Sequence, residues 1–314
     1  MDQEHIHDDT APSGGPACFC TLVTSGQEER FARLLIESLR AFGGPLSRSP
    51  VWVFHLGEPS PDPFPGGEGV RLVPLDIEGG SHFWFAPKVH ACAQAEGMAG
   101  SDFRSLVWLA SDCLILNPPL LFDLAWPGDA SFGAAFRTVH HANIGSRAQD
   151  PLDEFWSAVY GAVGLDEAPF AIESFVDRQQ IRPYWNTHCF SIDPARGLLG
   201  AWRERFVAMV TDRAFQAGPC RDEHHRVFLH QAVLSALVSK ELDRDQVRML
   251  PPEYSYPLHM HAQVPPARRA RALNDLVCAV HEYSLPVEDI GVREPLRTWL
   301  SDRLSVEHGE ADSE

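Results

Sequence analysis

The stretch Arg104-Ser105-Leu106-Val107-Trp108-Leu109-Ala110-Ser111-Asp112-Cys113-Leu114-Ile115-Leu116-Asn117-Pro118-Pro119 decides how this chain is read. Leu106 to Leu109 is an unbroken apolar run, the pattern of a strand buried on both faces. The polar break Ala110-Ser111-Asp112 follows it and carries one carboxylate. A second apolar run then stops at Asn117-Pro118-Pro119, which no central strand continues. Open α/β sheets bind ligands just beyond the carboxyl ends of their strands, so Asp112 falls where a ligand would meet it. The competing reading is a turn aspartate that caps the next segment.

Upstream, Ala17 to Val23 alternates and predicts the first strand. Thr24-Ser25-Gly26 is a turn whose backbone N–H groups are expected to be free to face a phosphate or a base. From Gln27 to Phe42 the apolar spacing is helical, with Phe31, Leu34, Leu35 and Leu39 on one face, and Gly43-Gly44-Pro45 ends it. Val51 to Leu56 and Val70 to Leu75 are the next strands, separated by a Gly/Pro-rich surface loop. This βαβ alternation predicts an α/β fold with a mixed, mostly parallel central sheet flanked by helices. Phe83-Trp84-Phe85-Ala86-Pro87-Lys88 opens a further helix, with Pro87 in its first turn. Lys88 therefore stands near a helix N-terminus, a favourable place for an anion. The plainer alternative is a surface lysine with a solvated head.

Downstream, Leu120 to Leu124 suggests a short helix and Ala130 to Phe136 a strand. Arg137 to Gly145, with His140-His141, is expected to be a loop. Pro151 to Val163 predicts a helix, and Ile172 to Ile181 fits either helix or strand. Pro183 to Ile192 predicts a strand with polar groups at its entrance, and Gly197 to Thr211 and Val227 to Val238 predict amphipathic helices. A last short strand, Val277 to Val280, delivers His281-Glu282-Tyr283. The domain reading is a mobile tail over 1–16, a single domain over 17–307 and an acidic tail over 308–314.

The 314 residues carry a formal charge of −17, which disfavours nucleic acid and anionic membrane as partners, because phosphate-rich surfaces are bound largely by Lys and Arg. The short basic run Arg268-Arg269-Arg271 does not alter that balance. A local site can still take one diphosphate. Seven scattered cysteines without a CxxC suit buried or free thiols in a reducing compartment better than a disulfide framework or a zinc site. The polar, acidic N-terminus is unlike a signal peptide, and no apolar run is long enough to span a bilayer, so a cytoplasmic protein is expected. G-x-G-x-x-G, Walker A and G-x-S-x-G motifs are absent.

Taken in order, the motifs between about residues 17 and 285 resemble the GT-A-type nucleotide-sugar glycosyltransferases, particularly their family-8-like retaining branch. Trp108-Leu109-Ala110-Ser111-Asp112-Cys113-Leu114 is similar to the family's Asp-x-Asp segment, with Ala110 in the first Asp's place. Tyr184-Trp185-Asn186-Thr187-His188 is similar to its Asn-[Ser/Thr]-Gly strand, with His188 for the glycine. His230-Gln231-Ala232-Val233-Leu234 is similar to its Asp-Gln helix, with His230 for the aspartate.

The resemblance implies transfer of a hexose from a UDP- or GDP-linked sugar to an acceptor that the sequence does not identify. It implies that Thr24, Ser25, Gly26 and Lys88 hold the nucleotide diphosphate. Asp112, with His281, would hold Mn2+ or Mg2+, or Asp112 would hold the ribose. Asn186, His188 and Gln231 would line the sugar, with Gln231 and Asn186 as the catalytic pair. A divalent ion would serve to neutralise the departing diphosphate. The departures leave two alternatives: an inactive sugar-nucleotide-binding protein, or a metal-dependent nucleotidyl or phosphosugar enzyme on the same scaffold.

The histidines suggest a separate metal reading. His259 and His261 on a strand would point to one side and share an ion, and Asp222 or Glu223 would join His224 and His225. Most of these histidines otherwise belong to loops and surface, as do His5 and His7 in the tail.

Overall fold

The structure, a computed structural model, describes residues 17–310 except 59–61, 63, 66, 78, 79, 81, 129–131 and 283–289. The tail 1–16 with its histidines, Tyr283 and residues 311–314 lie outside the described residues.

In chain order the elements are β1 (Ala17–Val23), α1 (Gly26–Phe42), β2 (Val51–His55), β3 (Val70–Pro74), α2 (Ala86–Ala99), β4 (Ser105–Leu109) and β5 (Cys113–Ile115). They continue with β6 (Ala134–Thr138), α3 (Glu154–Val163), β7 (Ile172–Glu173), β8 (Gln180–Ile181), β9 (Trp185–Ile192), α4 (Leu198–Thr211) and α5 (Arg213–Ala217). The chain closes with α6 (Glu223–Glu241), β10 (Val247–Met249), β11 (Tyr256–Pro257), β12 (Cys278–Val280) and α7 (Leu296–Glu310).

Seven strands form one sheet in the order β10-β6-β9-β4-β1-β2-β3. Every neighbouring pair is parallel except the two that involve β9, which is antiparallel to both β4 and β6. The start of β9 therefore lies at the same end of the sheet as the finish of β4 and β6. This single reversal brings Asn186 and His188 to the end where Asp112 leaves β4.

The apolar runs read from sequence are central strands covered on both faces. One face, with Trp52, Phe54, Trp108, Phe136 and Phe190, packs against helices that include α2, α4 and α6. The other, with Phe19, Val53, Val107 and Leu109, packs against α1 and a small second sheet, β11-β12-β5. Burying each such side chain is worth roughly 1.5–3 kcal/mol, so register and facing are strongly fixed.

Three expectations are corrected. β6 extends through Arg137 and Thr138, because its pairing with β9 continues across a register shift to Trp185, so the expected loop begins later. The ambiguous stretch Ile172 to Ile181 is a short hairpin, β7 paired with β8. Leu258–Gln263 is a 3-10 helix rather than a strand, and β11 ends at Pro257, which has no N–H for a ladder. At about three residues per turn, His259 and His261 no longer share a side. His261 bonds the Tyr256 hydroxyl at 2.8 Å, whereas His259 lies 3.3 Å from the Glu282 carboxylate.

Candidate functional site

Beyond β4 the chain turns through Ala110 to Asp112, and the carbonyl of Asp112 accepts a bond from the His281 N–H at 3.0 Å. This bond joins the end of β12 to the turn. The Asp112 carboxyl is only 7% exposed. Burial, reinforced by Cys189 and Glu282, pushes its pKa up to about 7, and the nearby Lys88 opposes that shift. A buried carboxyl without full compensation is a feature of working sites more than of turn caps.

Lys88 is not a surface lysine. It is 7% exposed, and its Nζ donates to Thr187 Oγ1 at 3.0 Å. Burial lowers its pKa to about 8, partly offset by Cys92 and Asp112. Strand alternation sends Thr187 to one face of β9 and Asn186 and His188 to the other. The Thr187 hydroxyl also lies 3.2 Å from His230 Nε2 and 3.2 Å from Gln231 Oε1. His230 Nδ1 meets the Val227 carbonyl at 3.0 Å, a contact that requires the proton on Nδ1 and leaves Nε2 an acceptor. The hydroxyl thus has one proton for two acceptors, and one of the two remains open to an incoming donor.

On the opposite face, Asn186 Oδ1 accepts from the His188 N–H at 2.8 Å and from Ser255 Oγ at 3.2 Å. Its Nδ2 meets His140 Nε2 at 3.1 Å. The rings of His140 and His188 are nearly parallel, with centroids 6.0 Å apart. Glu282 reaches both His188, at 3.8 Å, and His259, at 3.3 Å. Burial holds His140, His188 and His259 below the ordinary imidazole range, His188 at about 3 with Lys88 adding to the effect, so these rings are neutral at physiological pH.

Lys88, Asp112, Asn186, His188 and Gln231 therefore meet at one end of the sheet. Thr24 and Ser25 are placed differently. The Thr24 N–H and hydroxyl both donate to Glu28 Oε2 at 2.6 Å, and Ser25 Oγ accepts from the Glu28 N–H at 3.2 Å, capping α1. Of the expected free donors, those of Thr24 are engaged, and Gly26 is the first residue of the helix. The His281 ring has no exposed surface and packs edge-on against Phe31, with centroids 4.8 Å apart. Asp222 caps α6 beneath His224 and His225, far along the helix from His230.

Sequence reasoning missed Thr187 as the hub, and also His140, Ser255 and Glu282. Thr187 sat inside a quoted motif, and His140 carried its signal as half of a His-His pair. Glu282 had none beyond following His281. Phe85 was also missed. It adopts a left-handed conformation at φ 60°, stacks on His230 at 4.3 Å and is 44% exposed. Such strain in a non-glycine residue costs about 1–3 kcal/mol and persists where its surroundings hold it.

No protein family's sequence profile matches the chain, and no curated protein sequence does. Solved structures do match. One is the galactosyltransferase LgtC in complex with donor and acceptor sugar analogues, at TM-score 0.52 and 13% identity over 93% of this chain and 95% of that one. Another is an active-site mutant of LgtC, at TM-score 0.52 and 11% identity over 92% and 95%. The fold is that of GT-A glycosyltransferases, as the motif order implied. No helix among the described residues is long and apolar enough to cross a membrane.

Proposed function

We propose that this protein is a glycosyltransferase that moves a hexose from a UDP- or GDP-linked sugar to an acceptor, in the cytoplasm. The observation that carries the reading is the convergence of Lys88, Asp112, Asn186, His188 and Gln231 at one end of a GT-A sheet, with Lys88 and Gln231 joined through Thr187. Likeness to LgtC, whose structure holds donor and acceptor sugar analogues, supports it.

Lys88 offers a cation to the diphosphate when its amine is protonated, and Thr187 holds that amine in place. Asn186 and Gln231, already oriented by hydrogen bonds, present amide groups to sugar hydroxyls. His188 stands where a small residue is expected and narrows the sugar end. Phe85, stacked on His230, offers an exposed ring face at the rim. Thr24 would take part only if Glu28 released its donors, which leaves the Ser25 and Gly26 N–H groups at that turn, so the diphosphate is assigned chiefly to the Lys88 side.

For a divalent ion the donor set is Asp112 with Glu282, two hard oxygen ligands whose proximity raises the Asp112 pKa. Mn2+ or Mg2+ there would neutralise the leaving diphosphate. His281, whose backbone bonds Asp112, is the imidazole that would join these carboxylates at the ion.

A second reading, a sugar-nucleotide-binding protein without turnover, is favoured by Ala110 at the position of the first carboxylate and by the engaged Thr24 turn. Calorimetry with UDP- and GDP-sugars, with and without Mn2+, followed by product analysis, separates the two. Binding with slow donor hydrolysis supports the transferase, and binding without any turnover supports the second reading. No binding at millimolar nucleotide sugar removes both.

A further inference from the structure

Three thiols meet in the core behind the site. Cys113 at the start of β5, Cys189 in β9 and Cys278 at the start of β12 have no exposed surface. Cys189 Sγ lies 3.4 Å from both Cys113 Sγ and Cys278 Sγ, and all three sulfurs are within 4.8 Å of one another. Around one ion with metal–sulfur bonds of ~2.3 Å, thiolates sit about 3.8–4.0 Å apart, so a small spreading of the triad would accommodate one.

The second observation is Arg137. It is 2% exposed, and Nε, Nη1 and Nη2 have no hydrogen-bond acceptor among the described residues. Its guanidinium lies over the Phe175 ring at 4.0 Å. Burial lowers its pKa to about 9, while Cys189 and Cys278 act in the other direction, so it is charged at neutral pH. A buried cation requires a counter-charge, and metal-bound thiolates beside it would supply one.

We propose that Cys113, Cys189 and Cys278 bind one thiophilic divalent ion, with Zn2+ the natural occupant, as a structural centre distinct from the sugar-nucleotide site. Three thiolates around a divalent ion leave a net charge of −1, which Arg137 balances. Soft thiolates select zinc over the hard cations that suit carboxylates. Ser255, whose hydroxyl donates to Asn186 Oδ1 at 3.2 Å, is an oxygen close to Cys189. Binding releases whatever protons the three thiols still hold and forms three metal–sulfur bonds, with no redox change. The ion would tie β5, β9 and β12 together directly behind Asp112 and His188, each of which precedes a ligand in sequence. The proposal does not depend on the glycosyltransferase reading.

The test is metal analysis of the full chain, purified under reducing conditions from zinc-supplemented cells and dialysed against EDTA. About one zinc per chain is expected. Chains grown with cobalt should show sulfur-to-cobalt charge-transfer absorption. Cys189→Ser should lose the ion, whereas Cys92→Ser, a buried cysteine outside the triad, should keep it. If Cys189→Ser does not fold, stoichiometric release of zinc by an organomercurial, in step with thiol modification of the wild type, gives the same answer. Metal below a tenth of an equivalent, with all thiols free in denaturant, overturns the proposal. So does a Cys113–Cys189 disulfide in the purified chain.

Discussion

Two turns leave the same end of the sheet, one after β1 and one after β4, and they have opposite electrostatic character. The Thr24–Gly26 turn is exposed and partly satisfied from within: Glu28 takes the Thr24 donors and Ser25 caps the helix. The Ala110–Asp112 turn carries a carboxyl that burial and Glu282 hold near neutrality, close to a lysine that burial holds at about 8. Position beyond a parallel strand is common to both, so position alone does not mark a ligand site. The difference lies in what remains uncompensated.

The largest effect expected from breaking this contrast is at Asp112. Asp112→Asn keeps the shape and removes the charge. Donor turnover, or Mn2+-stimulated nucleotide-sugar binding, should fall about 100-fold, the scale of losing a group that meets developing charge. Stability should move the other way. The folded pKa of Asp112 lies above its unfolded value, so its contribution is fully present below about pH 4 and is lost as pH rises through about 7. At pH 8 the variant should therefore be more stable, by roughly 1–3 kcal/mol, with a flatter pH profile between 4 and 7. Ala110→Asp should tighten Mn2+ by adding a hard ligand. Unchanged Mn2+ affinity in Asp112→Asn ends the metal role, and an unchanged pH profile ends the claim that its burial is uncompensated.

Lys88→Met is the next test. Methionine matches the stem and leaves Thr187 without its ammonium donor. Nucleotide diphosphate affinity should drop about tenfold, or ~1.4 kcal/mol, while nucleoside affinity holds. Lys88 loses its proton through about pH 8, so diphosphate binding by the wild type should weaken above that pH and this dependence should vanish in the variant. Equal weakening for nucleoside and diphosphate would show that Lys88 supports the pocket rather than reading the phosphate.

Much of the fold was legible because the signals are local. Apolar runs at β1, β2 and β4, the helical face of α1 and the Pro87 start of α2 each follow from a few neighbouring residues. The site was legible only in pieces. Asp112, Asn186, His188 and Gln231 stood out through motif order, but Thr187 became a hub only when the reversed strand β9 met α2 and α6. The role of Glu28 was hidden for a different reason. A glutamate three residues after a serine is a helix-start signal, and it competes with a phosphate for the donors of the same turn. His259 and His261 were misjudged because a two-residue alternation looks like a strand until a proline ends the ladder.

The smallest expected effect lies at the first turn and sharpens the comparison most cleanly. Ser25→Ala removes the cap of α1 and should cost about 1 kcal/mol. A chain of this size should then lose only a few degrees of Tm, since 1 kcal/mol shifts domains of 150–250 residues by about 2–4 °C. Glu28→Gln removes a charge beside Thr24 while keeping an acceptor for its donors. If the turn is only a helix start, neither change should move nucleotide-sugar affinity by more than about twofold. If Glu28 instead occupies a phosphate position, Glu28→Gln should tighten diphosphate binding, because it withdraws a negative charge from the place the phosphate would take. Calorimetry of both variants with the same nucleotide diphosphate decides between these outcomes. Tighter binding in Glu28→Gln would restore the Thr24 turn to the nucleotide site and make Glu28 the group that an incoming phosphate displaces.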